Sequence, residues 1–284
     1  MDESAIVIEQ LPGAQRSLRI AVVTETYPPE VNGVAMTVAR FIEGLRKRNH
    51  DIQLLRPRQG ASDLAGQRHN FREVLMRGLT IPRYPGLKMG LPAKQALVRT
   101  WTAARPDLVH IVTEGPLGWS ALQAATKLRL PVSSDFRTNF HAYSHHYGIG
   151  WLKKPIASYL RKFHNRTLVT MVPTEDMRND LVALGFRNVR VVARGVDTRL
   201  FRPDARRADL RRAWGAGPGD PVALYVGRMA PEKNLDLLVQ AAQVMQRRTP
   251  QLRLVFVGDG PARAWLQSQC PQAVFSGTRT GADL

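Results

Sequence analysis

Cysteine is almost absent from this chain: Cys270 is the single one in 284 residues. No disulfide framework can form within the chain, which suits a reducing cytoplasm. Long apolar runs are missing too. No stretch of 18 or more apolar residues occurs, so no helix is expected to span a membrane. The N-terminus has neither a basic n-region nor an apolar h-region, so no signal peptide is expected, and residues 1–17 read as a loose lead-in. There is no Gly-x4-Gly-Lys-Ser/Thr, which excludes a P-loop nucleotidase, and no His-Glu-x-x-His. His141 and His145 would share a helix face, but no third ligand stands at a recognised spacing, so no metal site is expected. Helix-turn-helix, zinc-finger and aromatic-rich RNA motifs are likewise missing, and no nucleic-acid partner is expected.

Acidic charge is scarce. Asp and Glu number 23 against 41 Lys and Arg, a formal net charge of +18. That balance points to an anionic partner: nucleic acid, a membrane surface or a phosphorylated substrate. An Arg-heavy composition inherited from a GC-rich genome is the plainer explanation. The arginines are spread along the chain rather than blocked, which argues against a nucleic-acid-binding tail.

What the chain does have is regular alternation. Apolar strand-like runs at 18–26, 51–55, 79–82, 107–112, 131–137, 168–174 and 188–193 are separated by helical patterns at 34–50, 92–104, 119–128, 151–163 and 175–184. Residues 57–78 read as an irregular polar loop. A second series follows, with strands at 221–226, 252–257 and 273–277 and helices at 206–214, 235–242 and 262–270. This is the pattern of βαβ units in an α/β protein with mainly parallel sheets. The helix at 151–163 carries an apolar stripe of Ile156, Tyr159, Leu160 and Phe163 between Lys153, Lys154, Arg161 and Lys162. Such a helix can lie on an anionic bilayer, but an ordinary core helix with a solvated face is the preferred reading.

The most informative stretch is Gly227-Arg228-Met229-Ala230-Pro231-Glu232-Lys233-Asn234. It joins a buried strand to a helix at the carboxyl end of the strand, where open α/β sheets bind ligands. Arg228 and Lys233 flank a helix start whose N–H groups add partial positive charge, a setting that fits a diphosphate. Two solvated loop cations would look the same locally. A second site of the same kind lies at Tyr27-Pro28-Pro29-Glu30-Val31-Asn32-Gly33-Val34, where Gly33 lets backbone approach a ligand without a Cβ in the way.

Together these segments resemble family 4 retaining glycosyltransferases of the GT-B fold, which carry two Rossmann-like domains. Residues 227–234 resemble the family's G-R-L-x-x-E-K-G, with Asn234 where Gly is common. Residues 27–34 resemble Y-x-P-x-x-G-G-V, with Asn32 in place of the first Gly. Arg194-Gly195-Val196-Asp197, running on to Phe201 and Pro203, is similar to the family's interdomain linker. Gly258-Asp259-Gly260-Pro261 is similar to its nucleotide-pocket turn; as a dinucleotide fingerprint it lacks the third Gly, since Arg263 stands there. Asp135-Phe136-Arg137-Thr138-Asn139-Phe140 resembles F/Y-H-T-D/N-F, with Arg137 where a His contacts the sugar donor.

The resemblance implies a domain at 18–195 on the acceptor side and a nucleotide-sugar-binding domain at 196–284, the second incomplete. It covers nearly all of residues 18–284, but no residue matches the family's later E-x7-E segment, so a C-terminally truncated chain is expected. It also implies a metal-independent hexosyltransferase, retaining anomeric configuration, that uses a nucleotide-diphospho-sugar (GDP-mannose or a UDP-sugar) and no cofactor. The absence of Asp-x-Asp fits that metal-free type. By position, Arg228 and Lys233 would stabilise the leaving diphosphate. Gly33, Arg194, Gly195, Gly227, Gly258 and Gly260 would line the donor. Asn32, Gly33, Glu114, Asp135 and Arg137 would meet the acceptor. Arg137 is permanently charged and planar; it either assists at the reacting centre, hinting at an acidic or phosphorylated acceptor, or simply pairs with Asp135 or Glu114. The acceptor would be a lipid, a phosphorylated sugar or a glycan, and the location cytoplasmic, peripheral at the inner face of the membrane. Two other readings stand beside this one: a non-catalytic nucleotide-binding fragment, and a basic nucleic-acid-binding protein.

Overall fold

The computed structural model describes residues 16–30, 32–81, 84–137 and 153–284. They divide into two compact units, one ending at Arg194 and the other running from Gly195 to Leu284. The expected strand–helix alternation is present in both.

In the first unit the strands are β1 (Arg19–Val23), β2 (Asp51–Pro57), β3 (Gln67–Arg68), β4 (Phe71–Met76), β5 (Gly78–Ile81), β6 (Tyr84–Gly90), β7 (Leu108–Ile111), β8 (Val132–Asp135), β9 (Val169–Val172) and β10 (Val189–Val191). Its helices are α1 (Gly33–Arg46), α2 (Lys94–Ala103), α3 (Pro116–Lys127), α4 (Lys153–His164) and α5 (Glu175–Ala183). Eight strands form one sheet in the order β10-β9-β8-β7-β1-β2-β4-β3. All pairings are parallel except β3 with β4. The order reverses between β1 and β7, and ligands of open α/β sheets bind beyond the carboxyl ends of strands at such a switch point. Helices cover both faces. One core gathers Val23, Leu97, Trp101, Ile111, Leu122 and Phe163; the other gathers Val22, Val38, Ile42, Ile52 and Leu54.

The loop expected at 57–78 is corrected by the structure: β4 lies within it and pairs with β2. Its charged residues hid it from a hydrophobic pattern. Glu73 of β4 and Asp63 meet the buried Arg56 guanidinium at 2.9 Å and 2.7 Å. Arg56 holds the Asp63 carboxyl below its ordinary value through that hydrogen bond. The strand expected at 79–82 joins β6 in a separate two-stranded hairpin. Helix α3 begins at Pro116, before the expected Trp119, because proline suits a first helical turn.

Helix α4 is a core helix. Phe163 and Leu160 are buried, whereas Lys154, Arg161 and Lys162 face solvent. Residues 151 and 152, and His141, His145 and His146, lie outside the described residues.

The second unit contains a parallel three-stranded sheet, β11 (Val222–Val226), β12 (Arg253–Val257) and β13 (Val274–Phe275). Its helices are α6 (Ala208–Ala213), α7 (Leu235–Arg248) and α8 (Arg263–Gln269). Leu235, Val239 and Ala242 of α7 pack with Leu254, Phe256 and Leu266. Among the described residues no helix is long and apolar enough to cross a membrane.

Candidate active site

The second unit's site is built from two turns at neighbouring strand ends. After β11 the chain runs through Gly227–Ala230 into a 3-10 turn at Pro231–Lys233 and then α7. Arg228 and Lys233 are exposed there. The Tyr225 hydroxyl donates to the Arg228 carbonyl at 2.9 Å. Asn234 adopts the left-handed conformation (φ 51°, ψ 49°). That position therefore favours Gly and tolerates Asn, which accounts for the departure from the family pattern.

The turn after β12 packs directly on this one. Met229 N–H donates to the Asp259 carbonyl (2.9 Å) and Ala262 N–H to the Met229 carbonyl (3.0 Å). A Cβ at Gly258 would stand 2.0 Å from the Gly227 oxygen, and one at Gly260 2.3 Å from the Met229 oxygen. Both glycines, expected at the donor, are thus required first by the approach of one backbone to another. Asp259 ties the second turn internally by accepting from Gly260 N–H and from Arg263 (3.0 Å).

The first unit's site lies at the sheet's switch point. Asn32 caps α1: its Oδ1 accepts from Val34 N–H (3.0 Å) and Ala35 N–H (2.9 Å), while its Nδ2 donates to Thr26 Oγ1 (2.6 Å). Asn32, expected to meet the acceptor, therefore has both ends of its side chain occupied within the fold. Gly33 opens the helix, and an Arg194 guanidinium nitrogen lies 4.0 Å from where its Cβ would be. Burial and the nearby Arg137 charge lower the Arg194 pKa, partly offset by Asp135. Gly33, Arg194, Arg137 and Asp135 are thus brought together, two cations against one carboxylate. Gly195 is exposed.

Arg137 binds Asp135 through two guanidinium nitrogens, so the paired alternative is the arrangement observed. Asp135 is 3 % exposed. Burial alone would raise its pKa, but hydrogen bonds and charge from His110 and Arg137 outweigh this and hold it below the ordinary value. The carboxylate is 3.4 Å from His110 Nε2, and His110 Nδ1 meets Ser133 Oγ at 2.9 Å.

Glu114, just beyond β7, has Oε1 at 3.1 Å from Nε2 of the fully buried His164. His164 Nδ1 meets Ser134 Oγ at 2.9 Å. Glu25, just beyond β1, accepts from Leu117 N–H at 3.1 Å. Its pKa is pushed up to about 7, first by burial and also by Glu114; the Leu117 and Gly90 amides act against the rise. Glu25, His110 and His164 were not anticipated as site residues. The signal for Glu25 was a carboxylate closing an apolar run at a strand's carboxyl end. The histidines gave none, because their partners are distant in sequence.

The family model described as Glycosyltransferase Family 4 matches residues 31–200, and that of Glycosyl transferases group 1 matches residues 206–274. This chain belongs to the family 4, group 1 glycosyltransferases. The glycosyltransferase is 35 % identical over 269 residues to a GDP-mannose-dependent alpha-mannosyltransferase of Mycobacterium tuberculosis (strain CDC 1551 / Oshkosh), covering 94 % of this chain and 69 % of that protein. It is 25 % identical over 258 residues to the alpha-monoglucosyldiacylglycerol synthase of Acholeplasma laidlawii, covering 86 % and 64 %. Among solved structures, sucrose-phosphate synthase from Thermosynechococcus elongatus matches with a TM-score of 0.66 at 16 % identity, covering 94 % of this chain and 72 % of that one. The last likeness concerns fold alone, and with the WaaG glycosyltransferase structure it supports the GT-B type for this α/β glycosyltransferase.

Proposed function

We propose that the protein transfers a hexose, mannose from GDP-mannose in the first instance, to a hydroxyl of a lipid-linked acceptor with retention of anomeric configuration. The observation that carries this reading is the exposed Arg228 and Lys233 on the turn between β11 and α7. Two cations beside a helix start suit a diphosphate leaving group. The donor named for the mycobacterial relative supports GDP-mannose, and the diacylglycerol named for the Acholeplasma relative supports a lipid acceptor.

In this reading the bond from the sugar's anomeric carbon to the β-phosphate oxygen breaks while the bond to the acceptor oxygen forms on the same face. The acceptor's proton passes to the departing phosphate oxygen. Arg228 and Lys233 stabilise the charge that develops there. Each charge-assisted contact contributes about 1.5–3 kcal/mol, so losing either costs roughly ten- to a hundredfold. Arg194, Gly33 and the Arg137–Asp135 pair form a cluster of net positive charge in the first unit, suited to an anionic group of a substrate. The solvated Lys154, Arg161 and Lys162 suit an anionic membrane surface. No metal or cofactor takes part.

The test is titration calorimetry with GDP-mannose, GDP, UDP-glucose and UDP on the chain and on Lys233→Ala. GDP-mannose binding that is lost in the variant supports the assignment. A folded chain that binds no nucleotide overturns it. Transfer to diacylglycerol in phosphatidylglycerol vesicles, with the anomeric proton coupling of the product, tests acceptor and retention.

A further inference from the structure

Strand β8 presents two adjacent serines, Ser133 and Ser134, and side chains alternate between the faces of a strand. Each serine hydroxyl meets the Nδ1 of a buried histidine at 2.9 Å, and each histidine turns its Nε2 to a carboxylate. On one face the series is Ser133–His110–Asp135; on the other it is Ser134–His164–Glu114. The first ends in a buried pair: Arg137 and His110 both meet Asp135 Oδ2, and the Asp135 side chain is only 4 % exposed. The second ends at Glu114, whose Oε1 holds His164; among the described residues its Oε2 accepts no hydrogen bond.

A serine, a histidine and a carboxylate in line also describe a hydrolase triad, but here the order from solvent is inverted. Ser134 has no exposed surface and sits among Thr167 and Thr170 (3.1 and 3.3 Å), so it cannot attack a substrate. The Glu114 side chain, at 12 % exposure, is the open end. It lies beyond β7 at the switch point of the sheet, beside Glu25 beyond β1. The backbones are tied there as well, Glu25 N–H donating to Thr113 Oγ1 at 2.9 Å.

We propose that Ser134 and His164 are positioning residues that hold Glu114 in one orientation, so that its open oxygen receives a hydroxyl of a polyol or sugar acceptor. Ser134 O–H donates to Nδ1, which fixes the imidazole proton on Nε2, and Nε2–H donates to Glu114. A carboxylate held this way is preorganised for a hydroxyl donor. The Tyr159 hydroxyl, donating to the Glu114 carbonyl, fixes the backbone at the same residue. The proposal rests on the hexosyltransferase reading and names the acceptor's point of contact.

The test reads the imidazole directly. The chain is labelled with 15N-histidine and titrated with methyl α-mannopyranoside and, separately, with glycerol. The His164 resonance, assigned by its loss in His164→Gln, should show the Nε2–H tautomer and should shift saturably with at least one polyol. Glu114→Gln should abolish that shift while the melting temperature is kept. Ser134→Ala should weaken the polyol about three- to tenfold, the loss of one hydrogen bond in the series. A His164 resonance unmoved by both polyols, or a response unchanged in Ser134→Ala, overturns the proposal. Calorimetry with GDP-mannose separates the two readings. Donor binding without an imidazole response sinks this inference alone, and a response without donor binding sinks the donor assignment alone.

Discussion

The two units carry their charged groups in opposite ways. In the first, Asp135, Glu25, His110 and His164 are held by named partners inside the sheet's switch point. In the second, Arg228 and Lys233 stand exposed on a turn whose shape is maintained by backbone contacts and two glycines. The difference teaches where each substitution should register. Removing the buried Asp135 carboxylate from the first unit should disturb folding as well as ligand binding. Removing the exposed Lys233 from the second should leave folding untouched.

Asp135→Ala should have the largest effect. It leaves His110 and Arg137 without their buried carboxylate, and breaking such a pair costs about 3–5 kcal/mol. Urea denaturation should show the loss; a change under 1 kcal/mol would mean that the Asp135 cluster contributes little to the fold.

Next in size is a pH effect at Glu25. A carboxyl that ionises near 4.5 when unfolded but near 7 when folded favours the native state fully below pH 4.5. That contribution is lost as pH rises through 7, in total on the order of 3 kcal/mol. Melting temperature should therefore fall between pH 5 and pH 8, and Glu25→Gln should flatten that fall. Parallel pH profiles for the two proteins would count against the raised pKa.

Gly260→Ala should follow, at about 2 kcal/mol, because its Cβ would meet the Met229 carbonyl. The loss should be confined to the second unit, which hydrogen exchange resolves. Equal loss of protection in β1 and β12 would erase the contrast. The smallest effect belongs to Lys233→Ala, whose stability should stay within about 0.5 kcal/mol of the parent even as nucleotide binding falls. A large loss of stability there would give the exposed turn a structural part and narrow the difference between the units.

The fold was largely legible because apolar runs and helical spacing report burial directly. Strand β4 escaped because Arg72 and Glu73 break its apolar pattern, and Glu73 is tolerated only by the buried Arg56 seventeen residues away. The turns that carry Gly33, Arg228 and Lys233 were legible because local turns carry their own punctuation. Asn234 looked like a departure until its backbone conformation showed what Gly and Asn share at that position. His164 was opaque, since Glu114 lies fifty residues away and nothing local marks the contact.

By itself the sequence determined the α/β class, the succession of elements, the family and the turns that carry cations, because all of these follow from short-range periodicity and residue type. Only the tertiary structure decided that Arg137 pairs with Asp135, that Asn32 caps a helix, that Gly258 and Gly260 admit a neighbouring backbone, and that two serines on one strand each meet a buried histidine that faces a carboxylate. Those outcomes depend on which strands become neighbours and on burial that raises the cost of an unpaired charge, and neither is written in any local stretch of the chain.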